Sequence, residues 1–179
     1  MNEFLDSNFF QTIVLIVTAL ITITIYKQQK KEKRKESATI ILLQIKAIDK
    51  NIDLAKKCII NDIEFDIAKI LMINKVLNIN LWEENRQYLL SKFNSEEIRL
   101  INEYYECATT IENQILAYKN TILSSYKSFY LKYLDKDLAD DKRARIRTAP
   151  IFAKILLEKV YEADRIYNRL PINKFERII

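Results

Sequence analysis

Six cations crowd into nine residues of this chain: Lys27, Lys30, Lys31, Lys33, Arg34 and Lys35, within KQQKKEKRK. Side chains of that type bind anions rather than transform them. Beside an apolar helix they attract anionic lipid, at about 1 kcal/mol per basic residue near the surface, or they set the topology of that helix. The preceding stretch, Phe9 to Tyr26, has Gln11 as its only strongly polar member. Projected at about 100° per residue, Gln11, Thr12, Leu15, Thr18, Ala19, Thr22 and Tyr26 fall on one side of a helix. Thr18 and Thr22 have the small-x-x-x-small spacing that lets membrane helices approach closely, and Gln11 can hydrogen-bond across such a contact. The competing expectation is that the threonine hydroxyls bond carbonyls four residues back in their own helix.

Residue types that are missing exclude most other chemistry. The 179 residues contain no Gly and no His. Phosphate-cradling loops and dinucleotide fingerprints need glycine for close backbone approach. A Ser-His-Asp triad, a Cys-His pair and a Glu-x-x-His metal site all need histidine. Cys58 and Cys107 are too few for a zinc site of four cysteines and read as reduced core residues. The acidic group Asp135, Asp137, Asp140 and Asp141 fails as an EF-hand, because its sixth and twelfth positions are Asp140 and Ile146 rather than Gly and Glu. It reads as a solvated turn and the acidic start of a helix. Lys142, Arg143, Arg145 and Arg147 follow it as a basic face. Tyr118, Tyr126, Phe129, Tyr130 and Tyr133 recur on one helix face with few cations between them, a pattern of core packing rather than base stacking. Glu103 with Glu106, or Ser124 with Lys127, are ordinary helix-surface spacings. No catalytic constellation, cofactor or metal site is expected, so the chain does not read as an enzyme.

The elements that must position these groups are helical. The 18 residues from Phe9 to Tyr26 cover roughly 27 Å as a helix, close to the hydrocarbon thickness of a bilayer. Glu3 and Asp6 precede the run and the cations follow it, the reverse of a secretory signal, and no small-residue cleavage site is present. The positive-inside rule then places the N-terminus outside and the remainder in the cytoplasm. All 29 basic residues lie after residue 26, against 22 of the 24 acidic ones, a formal net charge of +7 for that part. Beside a membrane, anionic lipid accounts for such a balance more simply than nucleic acid.

Ile41, Ile45, Ile48, Ile52, Ala55 and Ile59 are spaced 4-3-4-3-4, a heptad seam expected to continue from the membrane helix. Spacing alone leaves open whether it closes within one chain or between chains. A change of phase after Asn61-Asp62 predicts a break. A short helix is expected over 81–93, and FNSEEIRL predicts the next helix, with Asn94 and Glu97 as its capping box. That helix is expected to reach about Leu134, and a last one to run from about Pro150 to Leu170. The expected fold is all-α: an N-terminal tip and membrane helix (1–26), a basic juxtamembrane segment (27–36) and a cytoplasmic helical bundle (37–179) with a short coiled-coil-like seam.

Within LWEENRQYLLSKFNSEEIRLINEYYECATTIENQIL, the positions Trp82, Leu89, Leu90, Ile98, Tyr104 and Tyr105 resemble a pattern in small uncharacterised bacterial and phage-borne proteins. Those proteins also carry one N-terminal membrane helix followed by a basic stretch. The resemblance implies the same architecture and supplies no site.

The expected function is a membrane-tethered, non-enzymatic interaction or scaffold protein at the inner leaflet of a bacterial plasma membrane. It would act by forming a homo-oligomer or binding a protein partner, since tethering raises local concentration. The alternative is a membrane-acting effector of toxin or phage-defence type, assembled through Gln11, Thr18 and Thr22.

Overall fold

The computed structural model describes the backbone of residues 2–60, 64–132 and 138–179, and the side chains of residues 8–59, 66, 69–124 and 152–179. The element order is α1 (Asn2–Lys56), β1 (Ile59–Ile60), β2 (Glu64–Phe65), α2 (Ile67–Met72), α3 (Leu81–Leu89), a 3-10 turn (Leu90–Lys92), α4 (Ser95–Lys132), α5 (Leu138–Tyr167) and α6 (Ile172–Ile178). The chain is mostly helical, and the all-α class holds. α1 ends at Lys56, ahead of the break expected at Asn61-Asp62, which lies outside the described residues; on either side of it Ile59 pairs with Phe65 in a small antiparallel ladder.

α1 is one helix of 55 residues, roughly 80 Å long. It lives in two environments. From Asn8 to Lys33 every side chain is exposed. From Ser37 onward a stripe disappears from solvent: Ala38, Ile41, Leu42, Ile45, Ile48, Ile52 and Ala55 are each no more than 6% exposed. The seam from Ile41 to Ala55 therefore closes within the chain, but Ile59 is not part of it: the helix ends at Lys56, and Ile59 lies half-buried in β1, packed against the same core. Its cover comes from α3, α5 and α6, with a smaller contribution from α4. A stripe of isoleucines specifies that something apolar must cover it, not that the cover is a second helix of equal length.

The same core takes Trp82 and Leu89 from α3 and Phe175 from α6. From α4 it takes Ile101, Tyr104, Tyr105, Ala108, Ile111 and Ile115, at three- and four-residue steps. α5 contributes Ala153, Leu156, Val160, Ala163 and Ile166 in the same rhythm and packs along α4. Tyr118 meets Phe152 with ring centroids 5.9 Å apart, as core packing predicts. The other aromatics of that series, Tyr126 to Tyr133, have side chains outside the described residues.

A chain without glycine must satisfy its loop backbone by other means. The connection from Ile73 to Asn80 is held by long side chains reaching in from two helices. Lys119 Nζ donates to the Ile73 carbonyl at 2.6 Å, and Asn51 Nδ2 to that of Lys75 at 3.1 Å. Glu112 accepts from the Val76 N–H at 2.6 Å. Gln44 does the most: its Nε2 donates to Ile79 O at 2.6 Å, while its Oε1 accepts from Leu81 N at 3.2 Å and Tyr105 Oη at 2.9 Å.

The capping box forms as FNSEEIRL predicts. Glu97 N donates to Asn94 Oδ1 and Asn94 N donates to Glu97 Oε2, each at 2.8 Å. Two other expectations are corrected. Pro150 does not open a helix: it lies inside α5, which starts at Leu138 and so includes Asp140 and Asp141. The upstream segment LADDKRARIRTA is rich in alanine and long unbranched side chains, good helix formers, so the helix passes through the proline at the loss of one backbone bond. Residues 133–137, with Asp135 and Asp137, lie outside the described residues. The second correction concerns the chain beyond Pro171, which forms the additional helix α6 with that proline at its N-cap.

Candidate functional site

Among the described residues nothing covers the apolar run on α1. Phe9 is 68% exposed, Leu15 70% and Leu20 59%, and none of the run is buried. By length and composition α1 is the one helix among the described residues apolar and long enough to cross a membrane. Within it, Thr12, Thr22 and Thr24 each donate to the carbonyl four residues back at 2.8 Å. Those hydroxyls are thus satisfied by their own helix, and Gln11 and Thr18 stand exposed on the rod.

The cations sit where the bare rod enters the packed helices, and the structure divides them. Lys27 and Lys30 are exposed on α1. Lys33 bonds Glu36 at 2.9 Å and lies 5.8 Å from the centroid of the Tyr88 ring. Its pKa is raised above the usual lysine value, first by that hydrogen bond and then by the Glu36 charge. Lys31, Arg34 and Lys35 turn instead toward a cavity of about 360 Å³, where Lys92, Lys174 and Arg177 join them with Ile178. Arg34 Nε donates to Tyr88 O at 3.4 Å, and Lys35 Nζ to Ile179 O at 2.6 Å.

Three of these six cations come from elements distant in sequence. Lys92 closes the 3-10 turn after α3, while Lys174 and Arg177 are three apart on α6, hence on one face. That spacing was legible; its position beside α1 was not, because α6 is brought there by non-local packing. Phe175 is fully buried and stacks on Phe93 with centroids 4.7 Å apart. Lys174 Nζ contacts both oxygens of Glu97, at 2.6 and 2.7 Å, and Arg169 reaches Glu96 at 3.4 Å. The acidic first turn of α4 thus fixes α6, with help from the helix dipole. Burial alone would raise the Glu97 pKa, but bonds from Lys174 and the Asn94 N–H outweigh it and hold the carboxyl below its usual range.

At the far end of α1 lies a second polar group. Lys56 bonds Asp164 at 2.7 Å and sits 4.9 Å from the Tyr161 ring centroid. Burial, then the charges of Asp53 and Asp164, push the Asp49 carboxyl up. Among the described residues no group of three or more His, Cys, Asp or Glu side chains is placed to hold a metal ion. Cys58 and Cys107 are free and buried, and burial raises both thiols, Cys107 to about 11. Such thiols are poor nucleophiles at neutral pH. Among the described residues the chemistry on view is charge and apolar surface.

No family model matches the chain, and no curated protein or solved structure matches it at a significant level.

Proposed function

We propose that the chain is a membrane-tethered, non-enzymatic helical interaction or scaffold protein at the inner leaflet of a bacterial plasma membrane. In this reading residues 9–26 span the bilayer, and the packed helices beyond form a cytoplasmic bundle. One observation carries it: an 18-residue apolar helical rod with no side chain covered continues without a break into a helix whose next stretch is core. Water opposes such a rod at about 25 cal/mol per Å² of apolar surface, and a bilayer does not. The cations that follow favour an inside location for the packed helices.

The Ile41–Ala55 seam is occupied by the chain's own helices, so homo-oligomers or protein partners would engage the membrane rod or the exposed outer faces. The effector reading has less support, because the Thr22 hydroxyl is already bonded to Thr18 O. Membranes from expressing bacteria, washed with alkaline carbonate, should retain the full-length protein. Protease added outside should clip a tag at the N-terminus and spare one at the C-terminus. Release by carbonate, or the opposite clipping pattern, would sink the tether or its orientation respectively.

A further inference from the structure

We propose that the cavity between α1, the 3-10 turn and α6 binds the phosphate of an anionic phospholipid headgroup. The proposal rests on the tether reading and names the ligand of that surface. Lys31 lies five residues past Tyr26 and Lys35 nine, so the cavity begins roughly 7 Å and ends roughly 14 Å beyond the apolar run along the helix. The headgroup layer of one leaflet is roughly 5–8 Å deep, so a phosphate at its inner edge meets the cavity mouth.

Six cations converge there, and their intrachain compensation is partial. Lys174 is neutralised by Glu97, and Lys35 donates to the main-chain oxygen of Ile179. Arg34 is oriented through Nε, which leaves its two terminal nitrogens as a fork for a phosphate. Among the described residues Lys31, Lys92 and Arg177 make no ion pair. Like charges drawn together without counter-charge repel, and a bound phosphate oxygen converts that repulsion into charge-assisted hydrogen bonds. Ile178 adds an apolar wall, and the volume suits a headgroup rather than a lone water.

This differs from a diffuse attraction of the basic run to a charged surface. A diffuse effect depends on how many charges lie near the bilayer, so Lys27 and Lys30 would matter most. A built pocket depends on Lys92 and Arg177, which lie far along the chain. The test uses full-length protein in a neutral detergent, with retained phosphatidylglycerol or phosphatidylcholine counted by native mass spectrometry. Wild type should retain phosphatidylglycerol preferentially. Lys92→Gln with Arg177→Gln should weaken that retention by about thirtyfold, while Lys27→Gln with Lys30→Gln should leave it nearly unchanged. Both altered pairs are exposed, and unchanged circular dichroism and thermal unfolding would certify the fold.

Equal losses in the two variants, or no loss in the first, would overturn the pocket. Displacement of the lipid by excess inorganic phosphate, as readily as by phosphatidylglycerol itself, would make a soluble phosphate the ligand and overturn the lipid assignment. Carbonate release of the wild type overturns the tether and the lipid source together. Retention by the membrane with unaltered lipid binding in the first variant overturns the pocket alone.

Discussion

The two halves of α1 both carry runs of isoleucine and leucine and meet opposite fates. Ile21, in the first half, is 53% exposed, whereas Ile45, in the second, is 0% exposed. The residue type and the helix are the same, and no kink or cap separates the two. What differs is breadth. Around Ile21 apolar residues occupy nearly the whole circumference, and no neighbouring helix can cover every side. Around Ile45 they form a stripe, with Lys46, Lys50 and Asp53 on the remainder. A full apolar circumference calls for a different solvent, and a stripe calls for a partner element.

That contrast is open to attack, beginning with the largest expected effect. Ile45→Ala should cost about 2–5 kcal/mol of unfolding free energy, and Ile21→Ala less than about 0.5. Urea unfolding of the full-length protein, followed through the fluorescence of Trp82, would read both. Comparable costs at the two positions would erase the distinction. Next, Val17→Arg should oppose insertion by about 2.5–3.5 kcal/mol and reduce the carbonate-resistant fraction. Leu43→Arg, at a 63% exposed position in the second half, should not. Loss of membrane retention in both variants would show that the second half also depends on the bilayer.

A smaller effect sharpens the comparison at the junction. Glu97 has a folded-state pKa below its unfolded value, so its contribution is complete above about 4.5 and fades as pH falls through the lower folded value. Glu97→Gln should therefore lower stability by about 1 kcal/mol at neutral pH, the size of a lost cap. It should also flatten the acid limb of the stability profile below pH 4.5. Asp49 has the opposite sign. Its raised pKa means that the fold favours the protonated form, so Asp49→Asn should raise the unfolding temperature at neutral pH rather than lower it. An unchanged acid limb in Glu97→Gln would remove Glu97 from the account of how α6 is held. The smallest effect concerns the rod itself. Thr22→Val should change neither stability nor native mass measurably, by less than about 0.5 kcal/mol, since the hydroxyl bonds its own helix. Loss of an oligomer in that variant would restore the effector reading.

Local grammar was legible in the sequence and long-range assembly was not. Asn94 and Glu97 announce their own hydrogen bonds, because the partners are three residues apart and the geometry is that of one helical turn. The Ile41–Ala55 stripe announces that it is buried, since period and residue type suffice for that. Its cover was invisible, because α3, α5 and α6 meet it through contacts set by tertiary packing. Pro150 misled because its preference for a first turn is weak beside the helix-forming residues before it. α6 was missed because seven residues with Phe175 as their one fully buried side chain carry too little periodicity. The half of the basic cavity that α6 and the 3-10 turn provide was hidden for the same reason.

The unbroken passage of α1 from rod to core also has a mechanical consequence. A glycine-rich linker would act as a swivel, and this chain has no glycine at all. The packed helices are therefore mounted on a stiff shaft. Thirty residues separate Tyr26 from Lys56, roughly 45 Å of lever arm. A tilt of roughly 20° in the bilayer sweeps the far end sideways by roughly 15 Å, and any rotation of the rod about its axis turns the whole head with it. Under the proposed tether, changes in bilayer thickness would become changes in where the head points.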